Sequence, residues 1–384
     1  MGDSIKPSQF MFLNASFIMG STLLITMVDS IAGQSTWMVM IAAFIVAVPF
    51  LLVYIALTKR FPGKSLIEMN DIVFGRVIGK VVSVFYLLAF LLLLSFNTAD
   101  VSGFYNGYIM PETPAAVIVI PMLLVCAFTV KRGIASLARF SVVMLAFTGI
   151  AVFVLALLLI GDMDFSNFLP VLDKPAIRYV QATQTVTELP YLEVVSMLMV
   201  VPMLRDTNKL GRKWFYGMGI AMVLFVAISV RNTAVLGGAT QILGDNSYEA
   251  IRLIDIGEFL TRIELVIALN YTASLFIKIC VLYYATVVAL SQLLRVDKNT
   301  MILPIGALTL VLAAIKVEST VEHTLWGAKY AAVFSFPYTI VLPLLTLIIA
   351  AIRKLRLASP PQMVQPPKQR PKRRAECAPA EGAK

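Results

Sequence analysis

Apolar residues run along this chain in ten blocks of 17 to 29 positions, separated by short polar or charged connections. A helix needs roughly 20 apolar residues to cross about 30 Å of hydrocarbon. In lipid every backbone N–H and C=O has to be paired internally, which leaves helices as the form for such runs. The pattern predicts spans at 10–29, 36–58, 81–104, 114–130, 139–160, 182–203, 214–236, 263–291, 301–317 and 329–352. Composition agrees: 59% of residues are hydrophobic, 14% charged, and the mean hydropathy is +0.85. Soluble domains carry about 25% charged residues, so this chain has too little polar surface to cover itself in water. Nine residues precede the first block without a basic start or a cleavage site, and span 1 is predicted to stay as an uncleaved anchor.

Charge gives an orientation. With the N-terminus inside, 24 of the 32 Lys and Arg fall on inner segments, among them Lys59, Arg60, Lys64, Arg132, Arg212 and the basic C-terminal stretch. Lys174, Arg178, Arg231, Arg252, Arg262, Lys316 and Lys329 fall in or beside outer loops, and Lys278 alone lies within the membrane. That bias predicts N-in, C-in topology with an even number of spans. The net charge of +10 is thereby accounted for by topology and contact with anionic lipid, and calls for no nucleic-acid partner.

Two divisions are expected: a membrane body over 1–357 and a tail over 358–384. The tail, "SPPQMVQPPKQRPKRRAECAPAEGAK" after Ala358, is rich in Pro and basic residues without apolar periodicity. It is expected to be disordered on the cytoplasmic face, with Lys372, Arg373 and Arg374 solvated or touching headgroups. Cys126, Cys280 and Cys377 lack metal-ligand spacing and read as apolar fillers. No cofactor or metal is called for: the chain carries no Gly-rich phosphate loop, no ligand cluster and no nucleophile with a base beside it, which argues against an enzyme.

The connections hold a repeat. "SLIEMNDIVFGRVIGK" at 65–80 follows two spans, and "YEAIRLIDIGEFLTRIE" at 248–264 follows two spans into the second half. Both read as short amphipathic helices, at equivalent places in a five-plus-five division but on opposite sides of the membrane. Because five is odd, the second half is inverted relative to the first, as in inverted-repeat transporters. In such folds interrupted helices mark the binding site. Span 1 carries Gly20, Ser21 and Thr22 at its centre, and span 6 carries Glu188, Pro190 and Glu193 in "TVTELPYLEVVSML". Glycine weakens a helix, and proline lacks the amide donor and clashes with the preceding turn. Breaks are predicted at both places.

Ionisable groups at membrane depth cost about 2.5–3.5 kcal/mol each on insertion scales, so Glu188, Glu193 and Lys278 are predicted to face the protein interior. Asn270, Ser274 and Lys278 recur every four residues and form one polar stripe on span 8. Lys278 can serve as a fixed cation, a proton acceptor or a carboxylate latch, or form a static pair with a glutamate. Glu193 suits that pairing or a ligand's ammonium, and amides freed at the Pro190 break suit a carboxylate. The predicted ligand-binding set is Gly20, Ser21, Thr22, Pro190, Tyr191, Glu193 and Ser274, and the chemistry suits a small zwitterion such as an amino acid. Glu188 is placed nearer the outer face, as a gate or a solvated end. Asn97 and Asp100 are read as vestibule or helix-end residues, and His323 as an exposed loop residue.

From Ile5 to Ile352 the chain resembles the B subunit of bacterial spore germination receptors, a branch of the amino acid/polyamine/organocation transporter superfamily. The resemblance rests on "IKPSQFMFL", "FPGKSLIEMNDIVFGRVIGKVVSVFY", "DFSNFLPVLDKP", "LPYLEVVSMLMVVPML", "RLIDIGEFLTRIE", "FIKICVLYYATVVALSQLL" and "ILPIG" in that order. It implies a LeuT-like all-α fold of about ten helices in the spore inner membrane, with a nutrient-binding role beside A and C subunits. Two departures stand out. Leu192 occupies the place where the family usually has glycine before the glutamate, and span 3 lacks a basic residue near Asn97. The expectation is a receptor subunit that binds a small nutrient germinant; the alternative is a proton-coupled amino-acid permease.

Overall fold

The computed structural model describes residues 4–22, 28–253, 264–316 and 331–357. His323, most of the amphipathic segment after Leu253, and the tail with Cys377, Lys372, Arg373 and Arg374 lie outside the described residues. The side-chain placements of Ser21 and Thr22 lie outside them too.

Eight helical stretches among the described residues are long and apolar enough to cross a membrane: Asp29–Arg60, Ile78–Tyr108, Ala115–Arg132, Ile134–Leu158, Leu210–Gln241, Leu265–Leu294, Lys298–Ile315 and Ala332–Ile352. These are spans 2 to 5 and 7 to 10. The remaining two are spans 1 and 6. Span 1 is helical over Pro7–Thr22. Span 6 begins as Ala176–Val186, passes through a π turn at Thr187–Tyr191, and continues as a 3-10 helix over Leu192–Met199. Leu189 is extended (φ −129°, ψ 108°), because the Pro190 ring excludes helical backbone at the residue before it. A 3-10 run of eight residues is longer than that geometry usually sustains, so packing rather than local preference holds it.

The halves match as the repeat predicted. The short helix Leu66–Phe74 follows span 2, and the short helix Asn246–Arg252 follows span 7. Five passes separate them, which puts them at opposite ends of the bundle. Spans 3 and 8 are both 31 residues long and pack along each other. The helix Leu66–Phe74 starts at a capping box: Ser65 accepts from the Glu68 amide while the Glu68 side chain accepts from the Ser65 amide.

Spans 1 and 6 fill the centre. Span 1 packs against spans 5, 7 and 8, so close to span 7 that a Cβ at Gly217 would stand 2.6 Å from the Met11 carbonyl. Trp214 of span 7 donates to Asn14 Oδ1 at 3.1 Å. The N-terminal segment is clipped to the end of span 6 by Ile5 N–H to Met203 O (2.8 Å) and Arg205 N–H to Ile5 O (3.1 Å). The periphery is apolar and open: Ile45, Leu52, Leu88, Leu124, Val143 and Phe153 are exposed on spans 2 to 5. Such a belt belongs in hydrocarbon, and the chain is a multi-pass membrane protein.

Candidate functional site

An ion pair stands beside the interruption of span 6. Lys278 Nζ of span 8 stands 2.6 Å from Glu193 Oε2 of span 6, with side-chain exposures of 2% and 4%. Burying both charges is tolerable only because each compensates the other. The same ammonium lies 5.7 Å from the centroid of the Phe17 ring on span 1, within range of a cation–π attraction. Span 1 approaches the lysine further at Gly20, where any Cβ would collide with Lys278 Cδ. One lysine thus ties span 8 to both central spans.

This corrects the reading of Gly20. The helix Pro7–Thr22 of span 1 runs through it, so Gly20 provides clearance for a neighbour and is not itself the break. Asn270, Ser274 and Lys278 are all buried, at 3%, 3% and 1% exposure, and the polar stripe does point inward. Pro190 is buried in the break. Tyr191 is not brought to the ion pair: its hydroxyl donates to Met40 O of span 2 at 3.3 Å, and its ring meets Phe44 and Phe225 edge-on.

Glu188 is fully buried, which rules out a solvated helix end. Gln184 donates to its Oε1 at 3.2 Å, and Ser335 of span 10 lies beside the same carboxylate. Asn97 and Asp100 of span 3 are buried too, and Asn97 Nδ2 donates to Leu93 O of its own helix. Asp100 stands within electrostatic reach of Glu193. Arg231, placed beside an outer loop by hydropathy, lies inside the span 7 helix Leu210–Leu236 and is 3% exposed.

Some site residues escaped the sequence reading. Span 10 carries a π turn within its helix, at Pro337–Val341, and Pro337 was its signal. Tyr54 of span 2 donates to Thr339 O in that turn at 2.5 Å and lies 3.5 Å from Leu192 O in span 6. Tyr338 stands within electrostatic reach of both Glu188 and Glu193. The Cys126 and Cys280 thiols, far apart in sequence, adjoin each other between spans 4 and 8.

At the end of the bundle next to helix Asn246–Arg252, Phe104, Tyr108, Tyr248 and Tyr271 form an aromatic cluster with centroid spacings of 4.6 to 5.6 Å. Asp245, in the loop before that helix, contacts the Tyr108 hydroxyl, and burial pushes its carboxyl up to about 6.

A family model described as "Spore germination protein" matches residues 4–321. Among curated proteins, spore germination protein KB of Bacillus subtilis (strain 168) is 26% identical over 349 residues, covering 88% of this chain and 92% of the relative. Two solved structures share the fold at 13% identity and a TM-score of 0.68 each. MHP1, a nucleobase-cation-symport-1 family transporter, covers 84% of this chain and 74% of its own; MhsT in complex with L-phenylalanine covers 90% and 88%.

Proposed function

The chain belongs to the spore germination protein family, and on that premise we propose that it is the nutrient-binding subunit of a germinant receptor. The observation that carries this reading is the buried Lys278–Glu193 pair set against the interrupted span 6. An ammonium and a carboxylate held in contact present the two charges a zwitterion needs, in crossed order. A ligand that parts them offers its ammonium to Glu193 and its carboxylate to Lys278, so each buried charge keeps a partner throughout. A solved protein of this fold was captured with L-phenylalanine, and that agrees with an amino acid as the ligand class. Ser274, one turn from Lys278, and the backbone freed at Pro190 supply neutral polar contacts.

In this reading the unliganded protein is the paired state, and the nutrient favours the parted one by its differential affinity. The A and C subunits of the receptor would read the change in the spore inner membrane, with both termini inside. The test is ion and dipicolinate release from spores lacking the gene, nutrient by nutrient. Loss for one nutrient class, restored by the intact gene, supports the reading. Unchanged release for every nutrient counts against it.

A second reading has its own support in the transporter neighbour MHP1: a proton-coupled amino-acid permease with Lys278 as the group that loses and regains a proton. It requires uptake into liposomes driven by a pH gradient, abolished by Lys278→Ala.

A further inference from the structure

Arg231 is a buried cation that the nutrient site does not use. It lies near the C-terminal end of span 7, 3% exposed, and its Nε and Nη2 both donate to Asn232 Oδ1, at 3.1 and 2.8 Å. A guanidinium has five N–H donors, and here two of them share one neutral oxygen. Among the described residues, no Asp or Glu stands in an ion pair with it. A charge buried without a counter-charge is strongly disfavoured, so something has to balance it.

The structure leaves room for that. A crevice of about 10 Å³ adjoins Arg231, walled by Val152 and Leu155 of span 5, Ile228 of span 7, and Ile267 and Asn270 of span 8. That is about the space one water-sized species requires. Asn270 is oriented by Thr148, whose hydroxyl donates to Asn270 Oδ1 at 2.7 Å. Asn270 also lines the crevice and carries two amide N–H donors. The remaining walls are hydrocarbon.

We propose that spans 5, 7 and 8 enclose a binding site for a monovalent halide, chloride in the cell, held by Arg231 and Asn270. The positive charge of Arg231 disfavours a metal cation there. Hydrocarbon walls suit a weakly hydrated monatomic anion better than phosphate, sulfate or an amino acid, which need more polar partners than Arg231 and Asn270 supply. The site is separate from the nutrient site: Asn270 lies eight residues before Lys278 on span 8, about 12 Å along the helix axis. A halide there neutralises Arg231 and fastens the three spans to one another.

The test is thermal unfolding of the full-length protein in detergent, in chloride against gluconate at constant ionic strength. The site predicts a saturable rise of several degrees in the unfolding midpoint with chloride, reproduced by bromide and not by gluconate. Arg231→Gln should abolish the rise. Ile267→Glu, which keeps the arginine and supplies a carboxylate from the crevice wall, should make the protein indifferent to the anion. Equal wild-type midpoints in chloride and gluconate, or a saturable chloride shift that persists in either variant, would overturn the proposal.

Discussion

Gly20 of span 1 lies directly against the aliphatic stem of Lys278 on span 8: a Cβ at position 20 would stand 2.8 Å from Lys278 Cβ and collide with its Cδ. The close approach lets the ammonium reach Glu193 while its stem stays packed on span 1. Gly20→Ala should therefore destabilise the protein by about 1–3 kcal/mol, the usual cost of overpacking a filled core. In a Lys278→Ala background the same substitution should cost less, because the collision with Cδ and Cγ is gone and only the 2.8 Å approach to the Cβ of residue 278 is left. A double-mutant cycle of unfolding midpoints reads that coupling.

The ion pair makes a second prediction, of opposite sign for single and double changes. Glu193→Gln strands a buried ammonium and should cost about 3–5 kcal/mol, whereas Glu193→Gln combined with Lys278→Met leaves no charge and should recover most of that loss. Denaturation of the purified variants checks this. Equal losses in the single and double variants would mean that the pair is not what holds these side chains.

Tyr54 links the interruption of span 6 and the π turn of span 10 through its hydroxyl at Thr339 O. Tyr54→Phe keeps the ring and removes that donor, at an expected cost of about 1 kcal/mol. If the two segments move together when the nutrient binds, the variant should also shift the nutrient concentration that gives half-maximal germination. A dose–response curve on variant spores measures it.

Asp245 predicts a pH dependence. Its carboxyl is raised from 3.8 to about 6, first by burial and further by the charges of Asp100 and Glu249, against the opposing contact from Tyr108. The folded protein therefore binds more protons than the unfolded chain between these values, and stability falls as pH rises through about 6. This group's contribution is fully present below pH 3.8. Asp245→Asn, neutral at every pH, should flatten the decline in unfolding midpoint across that window.

Hydropathy made the spans legible because hydrocarbon thickness fixes their length, and Pro190 made the span 6 break legible because its ring forbids helix at Leu189. What the sequence hid was contact between distant segments. Gly20 reads as a helix breaker in a local window, but its role is set by a lysine 258 positions away. Arg231 lowers hydropathy locally and so reads as a loop residue, although the helix continues to Leu236 and turns the guanidinium inward. Tyr191 carried a polar tip at the break, and only the packing of Phe44 and Phe225 directs it away from the ion pair. The π turn in span 10 had a signal in Pro337 of the same kind as Pro190, but nothing local said that it would face span 6.

The account rests on Glu193 and Lys278 as the pair that a nutrient parts. The most direct measurement is nutrient-triggered ion and dipicolinate release from spores carrying Glu193→Gln, with the variant's abundance in the membrane measured alongside. Release per copy of the membrane-inserted variant is expected to be lost for the nutrients the wild-type protein serves, even after the lower abundance that its destabilisation brings is corrected for. Normal release from those spores would contradict the account.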